Sequence, residues 1–310
     1  MTQEKKNKLS ALSLVVLTTA TIIIFFSTAD TPDKVDTSLF KIDDGKKIER
    51  VLLESAADTV DLKYTGSRWT VNDVYAADVN MIKVLMATLL QHEPKRPVAE
   101  SMNDSVARVV QKEGVHVTVF GQGEVVSDFY AGGNAAKSQA FFLQPGSGQA
   151  YLMVIPGYRV YVSGIFELDE SGFRDKHVFP FRWENFKGLR VNFPITPSAN
   201  FNVVLDEEKR FYTIEGMGKV DTAKLNAFLT DVSLLTVDQY GKAGELTDTA
   251  SNNLMMEIII EDVAQRKYRL KLFSGEKNGM TPALTGNDVA YFHPQRIRPI
   301  LRPKSFFARQ

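Results

Sequence analysis

The sequence predicts an α+β protein: one N-terminal transmembrane helix followed by an ectodomain of two related antiparallel β-sheet/helix modules. Three observations support this prediction. An uncharged apolar run occupies residues 9–26, apolar residues alternate along many later segments, and the same order of strands and helix recurs 143 residues further along the chain. Alternation is typical of half-buried strands, and recurrence at a fixed spacing indicates an internal duplication.

The apolar run LSALSLVVLTTATIIIFF carries no charge and follows Lys5, Lys6 and Lys8. At about 1.5 Å per residue, residues 9–29 extend roughly 30 Å, which is the thickness of the hydrocarbon core of a bilayer. Because basic residues stay on the cytoplasmic side, we expect a single-pass protein of the inner (cytoplasmic) membrane with its N-terminus inside. The ectodomain would then be periplasmic.

A cleaved signal peptide is the alternative explanation of this segment. Its start is basic, and Ser27, Thr28 and Ala29 form a small-residue pattern that a signal peptidase accepts. The apolar run is longer than the usual core of a signal peptide, which favours a retained anchor. A lipid-attached N-terminus is excluded because the chain has no cysteine.

The composition excludes several classes of protein. Lys+Arg 37 against Asp+Glu 37 leaves no net charge, whereas a nucleic-acid-binding protein normally has a basic excess. The absence of cysteine removes disulfides, thiol nucleophiles and cysteine-based metal sites. A hydrophobic content of 44% is enough for one large or two small domains.

The first module begins with three short segments of alternating apolar residues, around Val51, Val60 and Trp69. Asp78 follows as a predicted N-cap, because its side chain can accept hydrogen bonds from the first turn of a helix. The apolar residues after this cap have helical spacing: Ile82, Leu85, Met86 and Leu89.

The second module repeats this order, with strands predicted around Leu189, Val203 and Tyr212 and a helix after Asp221. From the second strand onward, corresponding residues are 143 positions apart. The pairs are Val60 and Val203, Leu62 and Leu205, Trp69 and Tyr212, Val71 and Ile214, Asp78 and Asp221, Ile82 and Leu225, and Met86 and Leu229. We interpret this as an internal duplication; the alternative is that hairpin-plus-helix units look alike by chance.

The segment between the modules predicts further antiparallel strands. Alternating residues around Val117 and Ser127 precede a predicted turn at residues 132–133, and a hairpin is predicted around residues 145–148. A helix is predicted at residues 156–168. Beyond the second module, strands are predicted at 254–260, 268–272 and 289–292, followed by the basic tail PQRIRPILRPKSFFARQ.

These features divide the chain into five parts. They are a cytoplasmic N-terminus (1–8), the transmembrane anchor (9–29), a stalk (30–37), a first α+β module with a β-rich extension (38–182), and a second α+β module with C-terminal strands and a basic tail (183–310).

Four passages cover most of the predicted ectodomain. They are RWTVNDVYAADVNMIKVLMATLL (68–90), YAGGNAAKSQAFFLQPGSGQAYLMV (130–154), FRDKHVFPF (173–181) leading into the strand GLRVNF, and FYTIEGMGKVDTAKLNAFLTDVSLL (211–235). In these passages the chain resembles the domain-of-unknown-function 4340 family, single-pass membrane proteins often encoded beside gliding-motility-type ABC transporter permeases. The resemblance implies a membrane location and a permease as partner, and it brings no established catalytic residues.

Two short motifs resemble enzyme signatures only in part. The segment GNAAKS at residues 133–138 ends in Lys-Ser, as phosphate-binding loops do, but lacks the glycine before the lysine. It also leads into a predicted strand, so no helix N-terminus would meet a phosphate, and we interpret it as a turn. Ser147 lies between glycines but without the spacing of a nucleophile elbow.

The titratable side chains form no recognisable site in the sequence. The histidines are His92, His116, His177 and His293, and their spacing is not that of a metal-binding motif. A group of carboxylates lies close together in the sequence: Glu167, Asp169, Glu170 and Asp175. The spacing is not that of an EF-hand, so we predict a solvated turn, with Arg174 and Asp175 forming a local ion pair.

Two further features have structural explanations. Trp69 and Tyr212 occupy equivalent positions in the modules, where an aromatic side chain is expected to pack the helix onto the sheet. The cationic residues of the tail are expected to be solvated or to face a partner: Arg296, Arg298, Arg302, Lys304 and Arg309.

The sequence therefore predicts a non-catalytic, membrane-anchored extracytoplasmic accessory or scaffold protein. Its expected partners are a membrane protein complex, which the resemblance identifies as an ABC transporter permease, and the bilayer through residues 9–29. No catalytic, cofactor-binding or metal-binding residue, no cofactor and no nucleic acid is assigned. The alternatives are a secreted periplasmic ligand-binding protein, which requires cleavage after Ala29, and a hydrolase whose site is assembled across the modules without a motif.

Overall fold

The computed structural model has an α+β fold with two antiparallel sheets, as predicted. It describes residues 3–27, 35–42, 47–179, 181, 183–206, 211–242, 244–246 and 253–309. The chain divides into two compact units, Met1–Glu170 and Ser171–Gln310. The predicted division at 182/183 lies within the second unit. The segment before it belongs there because the N–H of Val178 donates to the carbonyl of Leu235 over 3.0 Å.

Helix α1 spans Gln3–Ser27 and contains most of the predicted anchor. The hydroxyls of Thr18, Thr19 and Thr21 donate to backbone carbonyls four residues earlier, over 2.8, 2.8 and 2.9 Å. Among the described residues, no helix combines the length and the apolar character needed to cross a membrane. The crossing at residues 9–29 therefore stays a prediction, and most of the predicted stalk lies outside the described residues.

The first unit contains nine strands: β1 Ile48–Glu54, β2 Thr59–Tyr64, β3 Trp69–Val71, β4 Tyr75–Ala76, β5 Glu93–Pro97, β6 Val115–Gly121, β7 Glu124–Gly133, β8 Ala140–Leu143 and β9 Ala150–Val154. Its helices are α2 Val79–Gln91 and α3 Glu100–Glu113, and α4 Glu170–Phe173 lies at the junction of the two units. The strand order is β4-β3-β2-β1-β6-β7-β8-β9-β5, and every pairing is antiparallel.

Helix α2 begins as the sequence predicts. The Asp78 carboxylate accepts hydrogen bonds from the N–H groups of Asn80 and Met81, over 2.7 and 3.1 Å. Ile82, Leu85 and Leu89 of this helix are buried, whereas Met86 is only partly buried. They belong to the core of the unit together with alternate residues of the strands, including Val51, Leu62, Val117 and Phe129.

Helix α3 was not predicted, and it explains the glycines at the end of β7. Gly132 and Gly133 lie within this strand rather than in the predicted turn. A β-carbon on Gly132 would lie 3.4 Å from Val110 Cγ2 of α3, and one on Gly133 would lie 2.2 Å from the Tyr161 hydroxyl. The glycines therefore allow close packing on both faces of the strand.

The predicted helix at 156–168 is wrong. Gly157 has a φ of +80°, and the N–H of Tyr158 closes a turn on the carbonyl of Ile155 over 3.0 Å. Only a 3₁₀ turn, Val162–Ile165, follows. The fully buried Phe166 closes the core beyond it.

The second unit contains eight strands: β10 Phe186–Asn192, β11 Phe201–Asp206, β12 Phe211–Ile214, β13 Gln239–Tyr240, β14 Leu254–Asp262, β15 Lys267–Phe273, β16 Thr281–Thr285 and β17 Asp288–Phe292. Its longer helix is α5 Thr222–Ser233, capped by Asp221 as predicted, and a short helix α6 spans Pro294–Ile297. The strand order is β12-β11-β10-β14-β15-β16-β17-β13.

The two sheets share one topology, apart from the additional strand β4 in the first. In each unit a three-stranded meander leads into the helix, and the next strand crosses to the far edge before a four-stranded meander fills the centre. β5 and β13 are these far-edge strands. This common order supports the predicted duplication and extends it from the strand-strand-strand-helix module to both complete sheets.

The strand pairing corrects part of the 143-residue correspondence. Leu62 lies opposite Val71 and Val203 lies opposite Ile214, so Leu62 corresponds to Val203. Both are buried, whereas Leu205, the predicted equivalent of Leu62, is 48% exposed. The reason is that the β11–β12 hairpin is two residues longer between equivalent positions: residues 203 and 214 are eleven apart, whereas residues 62 and 71 are nine apart. The spacing of 143 therefore holds only after that hairpin.

The basic tail is part of the fold rather than a solvated end. Phe307 is fully buried, with its ring 5.1 Å from that of Phe201 and 5.3 Å from that of Phe228. Arg296 donates from Nε to the Asp238 carboxylate over 2.9 Å. The tail therefore closes the core of the second unit.

Candidate interaction surface

The histidines serve separate structural contacts in the described residues. His92 is buried, with its ring nitrogens 2.8 and 3.2 Å from the carbonyl oxygens of Thr88 and Phe40. His116 Nε2 lies 2.7 Å from the Asp128 carboxylate on the neighbouring strand. His177 lies 2.6 Å from Asp175, and the N–H of His293 donates to Asp238. None of these histidines lies with another in a common site.

The GNAAKS segment is a turn between β7 and β8. The Asn134 side-chain oxygen accepts hydrogen bonds from the N–H groups of Ser138 and Gln139, over 2.9 and 3.1 Å. Lys137 adopts a φ of +51° and donates to Glu167 over 2.7 Å. Because the amides cap a side chain and the lysine holds a carboxylate, the loop has no phosphate-binding arrangement.

The predicted cluster of carboxylates is dispersed. Glu167 accepts from the Tyr161 hydroxyl, and Glu170 accepts from Asn72 over 2.8 Å. The predicted ion pair between Arg174 and Asp175 is wrong, because Arg174 donates to Asp288 over 2.7 Å and lies 3.8 Å from the Tyr240 ring centre. Arg174 is 7% exposed, so this carboxylate and ring provide the partners that a buried guanidinium requires.

The equivalent aromatic residues Trp69 and Tyr212 both pack at the end of a strand. The Trp69 ring lies 5.8 Å from the Tyr64 ring. The Tyr212 ring lies 4.9 Å from that of Phe186, and its hydroxyl donates to the Phe186 carbonyl over 3.1 Å. Burial raises the pKa of the Tyr212 phenol, so it remains a hydrogen-bond donor.

An apolar groove runs between the outer face of α2 and the segment that follows β9, and its volume is about 470 Å³. We call it the α2 groove. One wall is formed by Val84 and Ala87 of α2, and the other by Tyr158, Val160 and Leu168. Val84 is 47% exposed, Tyr158 66% and Val160 53%. Large apolar side chains that stay exposed around one depression are typical of binding surfaces.

A polar arrangement adjoins the α2 groove at Tyr161, one of its lining residues. The Tyr161 hydroxyl donates to Glu167 over 2.6 Å, and Lys137 donates to the other oxygen of the same carboxylate. Burial and the Glu167 carboxylate raise the pKa of the Tyr161 phenol, which therefore stays protonated. These contacts hold the wall of the groove in place, and they leave Glu167 with both oxygens occupied.

The α2 groove adjoins a second hollow of about 570 Å³, and the two share Ile155 and Tyr158. The second hollow is lined by Val35 and Thr37, which follow the predicted anchor in sequence, and by Pro94 of β5. The apolar surface of the first unit therefore begins next to the chain that leads to α1.

The second unit has a polar concavity of about 440 Å³ on the sheet face opposite α5. Lys187 donates to Glu261 over 2.6 Å, and Arg269 lies 3.4 Å from Glu257. The Lys187 ammonium lowers the pKa of Glu261. Because these charges are paired along neighbouring strands, the concavity is typical of a solvated sheet face.

Sequence reasoning did not identify the α2 groove. The residues of its second wall were assigned to a helix, in which Tyr158 and Val160 would lie on different faces. A signal was available in Gly157, since glycine after proline favours a turn with positive φ.

In the part of the chain that the structure describes, no group of three histidine, aspartate or glutamate side chains is arranged to hold a metal ion. Comparison of the chain with models of known families, with curated proteins and with solved structures finds no match. The resemblance to the domain-of-unknown-function 4340 family stays a prediction from the four passages quoted above.

Proposed function

We propose that this protein is a membrane-anchored, extracytoplasmic accessory or scaffold protein that binds a membrane protein complex and is not a catalyst. The α2 groove is the observation that carries the proposal. It presents exposed valine and tyrosine side chains on a folded unit, and such a surface suits an apolar segment of another protein. By resemblance, the partner is an ABC transporter permease.

The N-terminal segment supports the anchoring part of the proposal. It has no charged residue between Leu9 and Phe26, and the hydroxyls of its threonines are bonded to its own backbone. A hydroxyl satisfied within the helix costs little in an apolar surrounding, since it leaves no donor without an acceptor. Val35 and Thr37, which follow this segment in sequence, line the hollow that adjoins the α2 groove.

A secreted ligand-binding protein is the second candidate, and the volume of the α2 groove favours it. A depression of about 470 Å³ falls within the range of small-molecule sites. This candidate requires cleavage after Ala29, whereas the anchored protein retains its N-terminus. The mass of the mature chain therefore separates the two.

The natural absence of cysteine permits a direct topology test. Ser147, exposed in the turn between β8 and β9, and Thr2, in the predicted cytoplasmic segment, are each replaced by cysteine. We expect a membrane-impermeant maleimide to label Ser147→Cys in spheroplasts and Thr2→Cys only after lysis. We also expect the chain to stay in alkali-washed membranes. A soluble chain beginning after Ala29 would contradict anchoring. Labelling of Ser147→Cys only after lysis would contradict the extracytoplasmic location.

A further inference from the structure

We propose that the open edge of the second sheet, at β12, binds an extended segment of a partner protein as an added strand. The proposal rests on a comparison between the two units. In the first sheet β3 is covered by β4, whereas β12, the equivalent of β3, is the last strand of the second sheet. The chain therefore contains a filled and an open version of the same edge.

The filled edge shows how such a strand is held. Thr70 lies opposite Ala76 and Val71 lies opposite Tyr75. The N–H of Ala77 donates to the Trp69 carbonyl over 3.0 Å. The outward backbone groups of β3 are therefore used within the unit.

At the open edge, β12 has the same backbone geometry as β3, but no described strand takes the place of β4 beside it. Tyr212 and Ile214 occupy the positions of Trp69 and Val71. The N–H of Glu215 donates to the backbone carbonyl of Asn202 over 3.0 Å. In an antiparallel pair every second residue bonds to the neighbouring strand, so this bond fixes which residues of β12 face β11. The N–H groups of Tyr212 and Ile214 therefore point away from β11. Among the described residues, no acceptor receives either N–H.

The second unit uses the segment after β12 for a different contact. The chain turns at Gly216, which has a φ of +67°, and continues to Val220. Val220 forms a bridge with Ala308, and the N–H of Asp221 donates to the Phe307 carbonyl over 2.8 Å. The stretch that corresponds to β4 thus holds the C-terminal segment, and the edge stays open as a consequence.

The side chains around the edge indicate what the added strand would carry. Leu205, opposite Tyr212, is 48% exposed. Trp183 is 42% exposed and packs edge-on against Phe186 with the ring centres 5.2 Å apart, and Phe186 in turn contacts Tyr212. A residue facing Tyr212 would meet this apolar rim, so the occupant is an extended segment with apolar side chains at alternate positions. Main-chain hydrogen bonds would provide the affinity of the added strand, and the contacts of its alternate side chains with this rim would provide specificity.

The chain supplies its own probe for this edge. The capped peptide NDVYAAD, residues 72–78, contains β4, the strand that fills the equivalent edge of the first unit. Added in excess to the full-length protein, it should slow hydrogen–deuterium exchange of the Tyr212 and Ile214 amides. A peptide with Ala77→Pro should not, because it lacks the N–H that meets the outward carbonyl.

Variants of the protein provide matched controls. Leu205→Lys should weaken peptide binding about tenfold or more, since it places a charge in the apolar rim beside Tyr212 that the added strand would meet. Tyr64→Lys, at the equivalent position of the filled edge, should leave binding unchanged. The assignment of the natural partner to a membrane complex rests on the function proposed above. The peptide measurement requires neither a membrane nor a permease, so it tests the edge separately.

Three outcomes would overturn the proposal. In the first, the peptide does not slow exchange of the Tyr212 and Ile214 amides. In the second, the Ala77→Pro peptide slows their exchange equally. In the third, their exchange slows without peptide as the protein concentration rises. The last outcome would assign the edge to a second copy of this chain.

Discussion

His92 illustrates how a single residue joins separate parts of the first unit. It follows the last turn of α2 and is 4% exposed, with its ring 5.2 Å from Phe142 and 5.7 Å from Phe129. One ring nitrogen faces the carbonyl of Phe40, whose φ of +70° is unusual for a bulky residue. The ring therefore fixes the chain that enters the first unit.

The environment of His92 predicts a pH dependence of stability. Burial lowers its pKa, although the carbonyls of Thr88 and Phe40 oppose the shift. The folded state therefore binds this proton less readily than the unfolded state. The stabilisation by neutral, buried His92 is complete above the unfolded pKa, about 6.5, and is lost as the pH falls from that value through the lower folded pKa. The protein should be less stable at about pH 5.5 than at about pH 7.5.

Urea unfolding of His92→Gln at these two pH values tests this account. The variant should show a smaller difference in unfolding free energy between them than the natural protein. Gln91→Asn, at the exposed and non-titratable position next to His92, should retain the natural difference. An unchanged difference in His92→Gln would mean that another group causes the pH dependence.

At the scale of elements, the two units differ in one hairpin and in the segment that closes the core. The β11–β12 hairpin is longer than its counterpart, and this shifts the correspondence between the units. In the first unit the segment after β9 closes the core, whereas in the second unit the segment after β17 does so. Phe307 of that segment packs against Phe228 of α5. The C-terminal segment is therefore an integral element of the second unit.

This conclusion predicts a large effect of Phe307→Ala. Removal of the fully buried ring should lower the unfolding free energy by about 3–5 kcal/mol, since a cavity remains between Phe201 and Phe228. Unfolding is followed by Trp183 fluorescence in a Trp69→Phe background. Arg309→Ala, an exposed neighbour, should change stability little. Equal and small effects would show that the tail is solvated, as the sequence first indicated.

Several elements could be predicted from local pattern, and others could not. The caps Asp78 and Asp221 and the apolar spacing behind them are local signals, and both helices form where expected. Helix α3 has a single buried residue, Val110, but Met102, Val106 and Val109 precede it at helical spacing, so a local signal was available and was not used. The tail appeared solvated because its arginines are prominent in the sequence, while their partners, such as Asp238, lie far away along the chain.

The same limit explains why the candidate surfaces were not predicted. The α2 groove forms between a helix and a turn that β9 brings beside it. The open edge is recognised only when β12 is compared with β3 in the paired sheets. Such features depend on pairing between distant segments, and residue periodicity does not report pairing.

For the whole molecule, the two units share one topology and differ in its exposed parts. The first unit fills its sheet edge with β4 and presents the α2 groove, whereas the second leaves β12 open and closes its core with the tail. A protein with distinct surfaces on related units suits a scaffold that holds more than one segment of a complex. The anchor proposed at the N-terminus would keep these surfaces at the membrane.

Co-purification from gently solubilised membranes tests this account most directly, with two matched valine variants. Val84→Glu introduces a charge into the α2 groove, and Val109→Glu introduces one on α3, away from the groove; the parent side chains are 47% and 41% exposed. We expect the tagged natural protein and Val109→Glu to recover an ABC-type permease, and Val84→Glu to lose about tenfold or more of it at equal abundance in the membrane. Recovery of no membrane protein by the natural chain, or equal recovery by both variants, would contradict the proposed function.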